Sequence, residues 1–157
     1  MDTITHALLP VIIYEMSRRE SSEWAGKRGV IAIGVGGALP DLINPHLSLA
    51  ARMSSWSHGL PFWLVLTAAL LIAAYFSGRK FSLLLALACS AACLLHIFCD
   101  AISGGVNFLY PFGAFVWGKY WVHPVLWIPL DVACLLICYY LFRLRPLLKA
   151  RKVSALE

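Results

Sequence analysis

Charged residues are scarce in this sequence: Asp, Glu, Lys and Arg make up only 13% of its 157 residues. Soluble domains of this length are typically about a quarter charged and less than half apolar. Here, 61% of the residues are hydrophobic. This composition excludes an ordinary soluble domain and a disordered chain. It indicates an integral membrane protein with enough length for one compact bundle.

Other common features are also missing. Met1 and Asp2 stand where a secretory signal would begin with basic residues, so we expect no signal peptide. The five cysteines are an odd number placed in apolar stretches, which argues against a disulfide framework. The basic residues are scattered and form no single patch, so nucleic acid is not an expected partner. No internal repeat is visible, which disfavours a transporter.

Long apolar runs divide the chain and predict an all-α integral membrane bundle of about five helices, because a membrane barrel would show short alternating stretches. Strands are therefore not expected. The first two segments fall short of the ~20 residues that a spanning helix needs, so they end below the headgroups or are partly re-entrant. The segments are residues 3–16, 29–43, 60–76, 81–102 and 124–142. We expect residues 1–145 to form the membrane domain and residues 146–157 a basic tail, disordered beyond Lys149.

The basic residues predict the orientation of this bundle. If the segments pass back and forth through a membrane, 11 of the 13 Lys and Arg residues lie on one side, and only Arg52 and Lys119 lie on the other. Lys and Arg concentrate on the cytoplasmic side of membrane proteins. The split therefore predicts an extracytoplasmic N-terminus and a cytoplasmic C-terminus.

The same threading puts all five histidines at the extracytoplasmic ends of the segments, together with carboxylates. Such residues are costly near hydrocarbon and are functional candidates by default. His96 and Asp100 are four residues apart, so on a helix they share one face. Imidazole and carboxylate are common ligands of Zn²⁺ and related ions. The expected metal ligands are His6, Asp41, His58, His96 and Asp100.

Three further polar residues have competing interpretations. His46 follows Asn44-Pro45, an ordinary turn, and Asp131 either supports a ligand histidine or pairs with a basic residue. We treat both as alternative ligands or as supports of the ligands. His123, beside Pro124, is equally well an interfacial side chain, and it is our candidate for the general acid.

Two other features have structural explanations as well as functional ones. Gly34, Gly36 and Gly37 predict close contacts between helices; they do not form a nucleotide-binding loop, because the following Lys-Ser/Thr is absent. The aromatic residues in 108–121 indicate a belt at the membrane interface. They would also suit the entrance of a site for an acyl chain or a lipid headgroup.

Several short motifs, taken in order, resemble those of the LexA-regulated, YdjM-like inner-membrane proteins. The resemblance covers about residues 2–131. It implies a membrane-bound, metal-dependent hydrolase in the bacterial inner (plasma) membrane. The motifs are Asp2-x-x-Thr5-His6, Leu39-Pro40-Asp41, Ser57-His58, His96-x-x-x-Asp100, Gly105 and Tyr110-Pro111-Phe112.

The chain departs from the family pattern at one position. The second histidine of the family's His-Arg-x-x-Thr-His element matches His58, but the first falls at Met53. An incomplete, water-bearing metal shell is therefore expected, unless His46 substitutes. The His-x-x-x-Asp element is also similar to one in zinc-dependent phospholipases C, which points towards phosphoester or lipid substrates.

These observations lead to one main expectation and one alternative. We expect a hydrolase that uses one or two divalent ions, with zinc as the expected metal, on a lipid-like, phosphoester or acyl-ester substrate. His58 and His123 are the expected catalytic residues, and the partner is a membrane lipid or another amphiphile. The alternative is a non-enzymatic membrane protein with a structural or sensing metal site.

Overall fold

A computed structural model of the protein describes residues 2–17, 26–45, 52–77 and 81–154. Within these ranges the chain is mainly helical, and the helices begin and end close to the apolar segments of the sequence. The main helices are α1 (Thr3–Ser17), α2 (Gly26–Ile43), α3 (Leu60–Ser77), α4 (Leu83–Ile102), α5 (Trp127–Tyr139) and α6 (Arg145–Ser154).

Helix α2 lies at the centre of the packing and contacts both α1 and α4, while α3 packs on α4 and α5 on α1. Glycines on α2 permit this close approach. A Cβ atom on Gly37 would lie 2.2 Å from the His6 carbonyl oxygen of α1, and one on Gly36 would lie 3.0 Å from the Cys89 carbonyl oxygen of α4. The predicted role of these glycines in helix contacts is confirmed.

Three helical stretches are long and apolar enough to cross a membrane, as judged by length and composition over the described residues. They are Leu60–Ser77, Leu83–Ile102 and Pro124–Lys152. Helix α1 has 15 residues, so it is only about 22 Å long, less than the ~30 Å hydrocarbon core. The expected all-α membrane bundle is confirmed, with its first helix short.

A short two-stranded ribbon follows α4, although the sequence indicates no strand. Strands β1 (Val106–Asn107) and β2 (Val116–Trp117) pair antiparallel. Inside this hairpin, the Asn107 side chain accepts a hydrogen bond from the Phe115 amide at 3.0 Å. Buried Val106 and Phe108 pack against α4. Two-residue strands are too short to show an alternating pattern, and tertiary packing stabilises them.

The basic tail is also more ordered than expected. Helix α5 continues through a π-helical segment, Tyr140–Leu144, directly into α6, which reaches Ser154. Pro146 lacks the N–H of an α-helical ladder, and the wider π turn just before it accommodates that loss without ending the helix. The expectation of disorder beyond Lys149 is therefore wrong up to residue 154.

Candidate metal centre

One end of the bundle gathers four polar side chains from three parts of the chain. Asp41 comes from the last turn of α2, and His58 ends the 3-10 turn Trp56–His58 that precedes α3. His96 and Asp100 lie on the same face of α4, one turn apart. A single ligand atom from each of these four residues lies within 4.8 Å of all the others.

The distances between these four atoms match the edges of a metal tetrahedron. His58 Nε2 lies 3.2 Å from His96 Nε2, 3.2 Å from Asp41 Oδ1 and 3.4 Å from Asp100 Oδ2. His96 Nε2 lies 3.6 Å from Asp41 Oδ1 and 3.4 Å from Asp100 Oδ2. Ligand bonds of about 2.0 to 2.1 Å give tetrahedral edges of about 3.3 to 3.4 Å. Five of the six edges therefore have the spacing that one ion requires.

A backbone carbonyl fixes the tautomer of His96. Its Nδ1 lies 2.7 Å from the carbonyl oxygen of Gly37, which only accepts hydrogen bonds, so Nδ1 carries the proton. In the neutral ring, Nε2 then has a free lone pair. Orientation of a ligand histidine through its other nitrogen is typical of metal sites.

Serine hydroxyls fix the tautomer of His58. Ser57 Oγ donates to the carbonyl oxygen of Pro40 at 2.8 Å, so towards His58 Nδ1, 3.0 Å away, it acts as an acceptor. Ser55 Oγ lies 2.9 Å from the same nitrogen. Burial lowers the pKa of His58 below its ordinary value. The imidazole is therefore neutral at pH 7 and directs a lone pair on Nε2 into the cluster.

Each carboxylate uses one oxygen for the cluster and the other for a support. Asp41 Oδ2 accepts a hydrogen bond from Thr3 Oγ1 at 2.7 Å. Asp100 Oδ1 lies 3.0 Å from His6 Nε2. Two imidazole Nε2 atoms and two carboxylates therefore converge, and the carboxylates bring a charge of −2 to one point. This donor set suits a divalent cation, and the cluster could bind a metal ion.

The predicted ligand His6 reaches the cluster from a different side. It is 2% exposed and contacts the outer oxygen of Asp100. Its ring also lies on that of His96, with 3.9 Å between the ring centroids. The structure thus groups all five predicted ligands, but His6 is placed behind Asp100 and outside the four-atom set. Direct ligation by His6 stays a prediction.

Asp131 supports the site from α5 through its contact with α1. Its buried carboxylate accepts hydrogen bonds from the amide of Thr5, at 3.0 Å, and from the Thr5 hydroxyl. Thr5 precedes His6, so Asp131 anchors the turn that carries this histidine. This position is consistent with the predicted supporting role. The described hydrogen bonds of Asp131 go to Thr5 and not to a ligand histidine. His46 lies outside the described residues.

His123 is the predicted site residue that the structure does not bring to the cluster. It is exposed, and its Nδ1 accepts a hydrogen bond from the Val125 amide at 3.3 Å. It therefore caps the 3-10 turn Pro124–Leu126. An exposed ring used as a helix cap is poorly placed to donate a proton inside the buried cluster, so the general-acid assignment is not supported.

Arg52 belongs to the site, although sequence reasoning missed it. Its side chain is 4% exposed, and its Nε lies 3.2 Å from Asp100 Oδ2. Its Nη1 donates to the backbone carbonyl oxygen of Asp100 at 3.1 Å. The predicted topology could have pointed to it, because Arg52 is one of only two basic residues on the predicted extracytoplasmic side. Such an exception needs a local partner, and a buried carboxylate provides it.

Asp41 is the most exposed of the four residues of the cluster. The Asp41 side chain is 16% exposed, whereas those of His58, His96 and Asp100 are at most 1% exposed. The remaining edge, between one carboxylate oxygen of Asp41 and one of Asp100, is no longer than 4.8 Å. Of the four donors, Asp41 is therefore the one in contact with the surroundings of the bundle.

The comparison with known proteins agrees with this architecture. A family model described as "YdjM inner membrane protein" matches residues 1–154. No curated protein and no solved structure matches the chain. Because the family match covers every residue of the described bundle, including the four residues of the candidate metal centre, the chain belongs to the YdjM inner membrane protein family.

Proposed function

We propose that this protein is a membrane-bound, metal-dependent hydrolase that cleaves an ester in a lipid-like substrate. The observation that carries this proposal is the convergence of two imidazole nitrogens and two carboxylate oxygens at tetrahedral spacing. The convergence lies at one end of an apolar bundle, where an amphiphile presents its polar headgroup. Zinc is the proposed metal, since histidine and carboxylate donors at this spacing suit it.

The chain's own residues hold and orient the reacting groups. Gly37 and Ser57 keep both imidazoles in the tautomer that directs Nε2 inward. Thr3 and His6 hold the outer oxygens of the two carboxylates. A divalent ion bound here would lower the pKa of a water molecule and polarise the ester oxygen. The side open at Asp41 is the proposed approach for water and for the scissile ester.

The basic residues support placing this reaction on the extracytoplasmic side. The N-terminal end of α1 and the C-terminal ends of α2 and α4 meet at the cluster, opposite the connections that are rich in Lys and Arg. Under the positive-inside rule, the proposed substrate headgroup lies in the outer leaflet of the inner membrane. The same rule places the C-terminus in the cytoplasm in this proposal.

A structural or sensing metal site is the second candidate, and one observation favours it. Structural zinc sites are closed by four protein ligands, and the cluster offers four donors at nearly closed spacing. The two functions differ in whether an ion held here also binds water. Cobalt substitution distinguishes them, because four-coordinate and five-coordinate Co²⁺ have different visible spectra.

The direct test is metal-dependent hydrolysis by purified protein in detergent. We expect the activity to be abolished by a chelator and restored by Zn²⁺ or Mn²⁺, and to be absent from His96→Ala. Cys93→Ala is the matched control, because Cys93 is buried on the same helix one turn earlier and contributes no donor to the cluster.

The substrate panel should contain phospholipids, lipid phosphates and acyl esters. If folded, zinc-loaded protein cleaves none of them and its Co²⁺ spectrum is that of a closed four-coordinate site, the structural function replaces the hydrolase. If His96→Ala keeps full metal content, the site itself is wrongly assigned.

A further inference from the structure

Arg52 is a buried cation that directly adjoins the proposed metal position. Its Nε lies 3.2 Å from Asp100 Oδ2, and this is the same oxygen that lies 3.4 Å from the Nε2 atoms of His58 and His96. Only Asp100 Oδ2 therefore separates the guanidinium from the point where the four donors meet. A substrate oxygen bound to an ion at that point, on the Arg52 side of Asp100, would be within reach of the guanidinium.

Part of this guanidinium is already committed. Nη1 donates to the Asp100 carbonyl oxygen at 3.1 Å and lies 3.5 Å from Ser103 Oγ. Nε is different: it is buried, and although it is close to Asp100 Oδ2, its N–H makes no hydrogen bond to any described residue. A buried donor without a partner is costly, so an acceptor that arrives with a ligand would satisfy it.

The charges at the centre point to the kind of acceptor. Asp41 and Asp100 together carry −2, and a divalent ion balances them when the imidazoles are neutral. Arg52, which pairs with Asp100, then gives the four donors, the ion and the guanidinium together a net charge of +1. In a site this buried, an unbalanced charge favours an anionic ligand.

We propose that Arg52 is a substrate-binding residue whose Nε–H holds an anionic phosphoryl oxygen, so that the substrate is a phosphoester. This inference rests on the proposed hydrolase and narrows its substrate class. Arginine is well suited to the task, because its planar donors match phosphate oxygens and it stays charged when buried. A neutral acyl ester would leave both the extra charge and the Nε donor unmatched.

Binding of inorganic phosphate tests the proposal without requiring catalysis. The zinc-loaded protein in detergent is titrated with phosphate by calorimetry, and zinc content is measured in parallel. We expect Arg52→Gln to weaken phosphate binding at least tenfold while it retains zinc. Lys119→Gln is the matched control: it removes the same charge from an exposed position on the same predicted side, and we expect no change.

Arg52→Lys provides a second test if Arg52→Gln does not fold or does not bind zinc. Arg52→Lys keeps the positive charge near Asp100 but lacks the planar Nε edge. We expect it to retain zinc and still to bind phosphate several-fold more weakly than the wild type. Equal phosphate affinity in the wild type and in Arg52→Lys or Arg52→Gln overturns the proposal.

Short-chain lipids then identify the source of the phosphate. Dihexanoyl phosphatidic acid and dihexanoylglycerol share their acyl esters, and only the first carries a phosphoester. We expect release of phosphate from the first and no release of hexanoate from either. If hexanoate is released and Arg52→Gln does not slow this, the hydrolase stands and the phosphoester assignment fails. If neither these lipids nor the phospholipids of the substrate panel are cleaved but phosphate binding depends on Arg52, the anion site stands and the hydrolase fails.

Discussion

Replacement of Gly37 by alanine should disrupt the metal centre from a position that contributes no ligand. The new Cβ would lie 2.2 Å from the His6 carbonyl oxygen and 2.8 Å from Pro10 Cγ, where ordinary contacts are 3.4 Å or longer. Both partners belong to α1, and one is backbone, so α1 must move by about 1 Å. Overpacking of this kind costs about 1 to 3 kcal/mol.

The intrinsic preference of helices for alanine opposes this cost but is smaller, at about 1 kcal/mol. A backbone clash lies at the upper end of the overpacking range, so we expect Gly37→Ala to lower the free energy of unfolding by about 2 kcal/mol. The shift of α1 also displaces His6 from Asp100. Loss of such supports typically weakens metal binding by about 10-fold to 100-fold.

Gly34→Ala is the matched control on the same helix. Its Cβ would lie 3.3 Å from Val11 Cγ2 and 3.4 Å from the Ala7 carbonyl oxygen, so a small adjustment suffices and the stability should change by less than about 1 kcal/mol. Thermal unfolding in detergent, followed by tryptophan fluorescence, and zinc competition with a chelating dye measure both effects. Equal zinc affinity in Gly37→Ala and Gly34→Ala would refute the reasoning.

Three other outcomes are expected. Burial lowers the pKa of His58, so this ring stays neutral in the folded protein at a pH where the unfolded chain is protonated. Its contribution to stability is therefore constant above about pH 6.5 and lost below it, and pH-dependent unfolding of metal-free protein measures this loss. Asp131→Ala should weaken zinc binding about tenfold by freeing Thr5, and Asp131→Asn less; equal zinc affinities would contradict this. Reporter fusions should read extracytoplasmic at Gly105 and cytoplasmic after Lys152, and a cytoplasmic signal at Gly105 would reverse the proposed side of the site.

The membrane class, the helices and the membership of the cluster were accessible from the sequence. Apolar runs predict helices because their lengths match the membrane, and the spacing of His96 and Asp100 predicts a shared face because helical geometry is local. Histidines and carboxylates beside hydrocarbon are conspicuous, since their placement there is costly. His6, Asp41, His58, His96 and Asp100 could therefore be grouped before their distances were known.

Tertiary structure alone decided which contacts each of these residues makes. The placement of His6 behind Asp100 depends on how α1 approaches α2 at Gly37, and neither segment contains that information by itself. The positions of Arg52 and His123 could not be predicted for the same reason. The Arg52 side chain folds inward onto Asp100, while His123, the expected general acid, stays at the surface as a cap. Periodicity reports the face of a helix, but a side chain's partner depends on packing between segments that are distant in sequence.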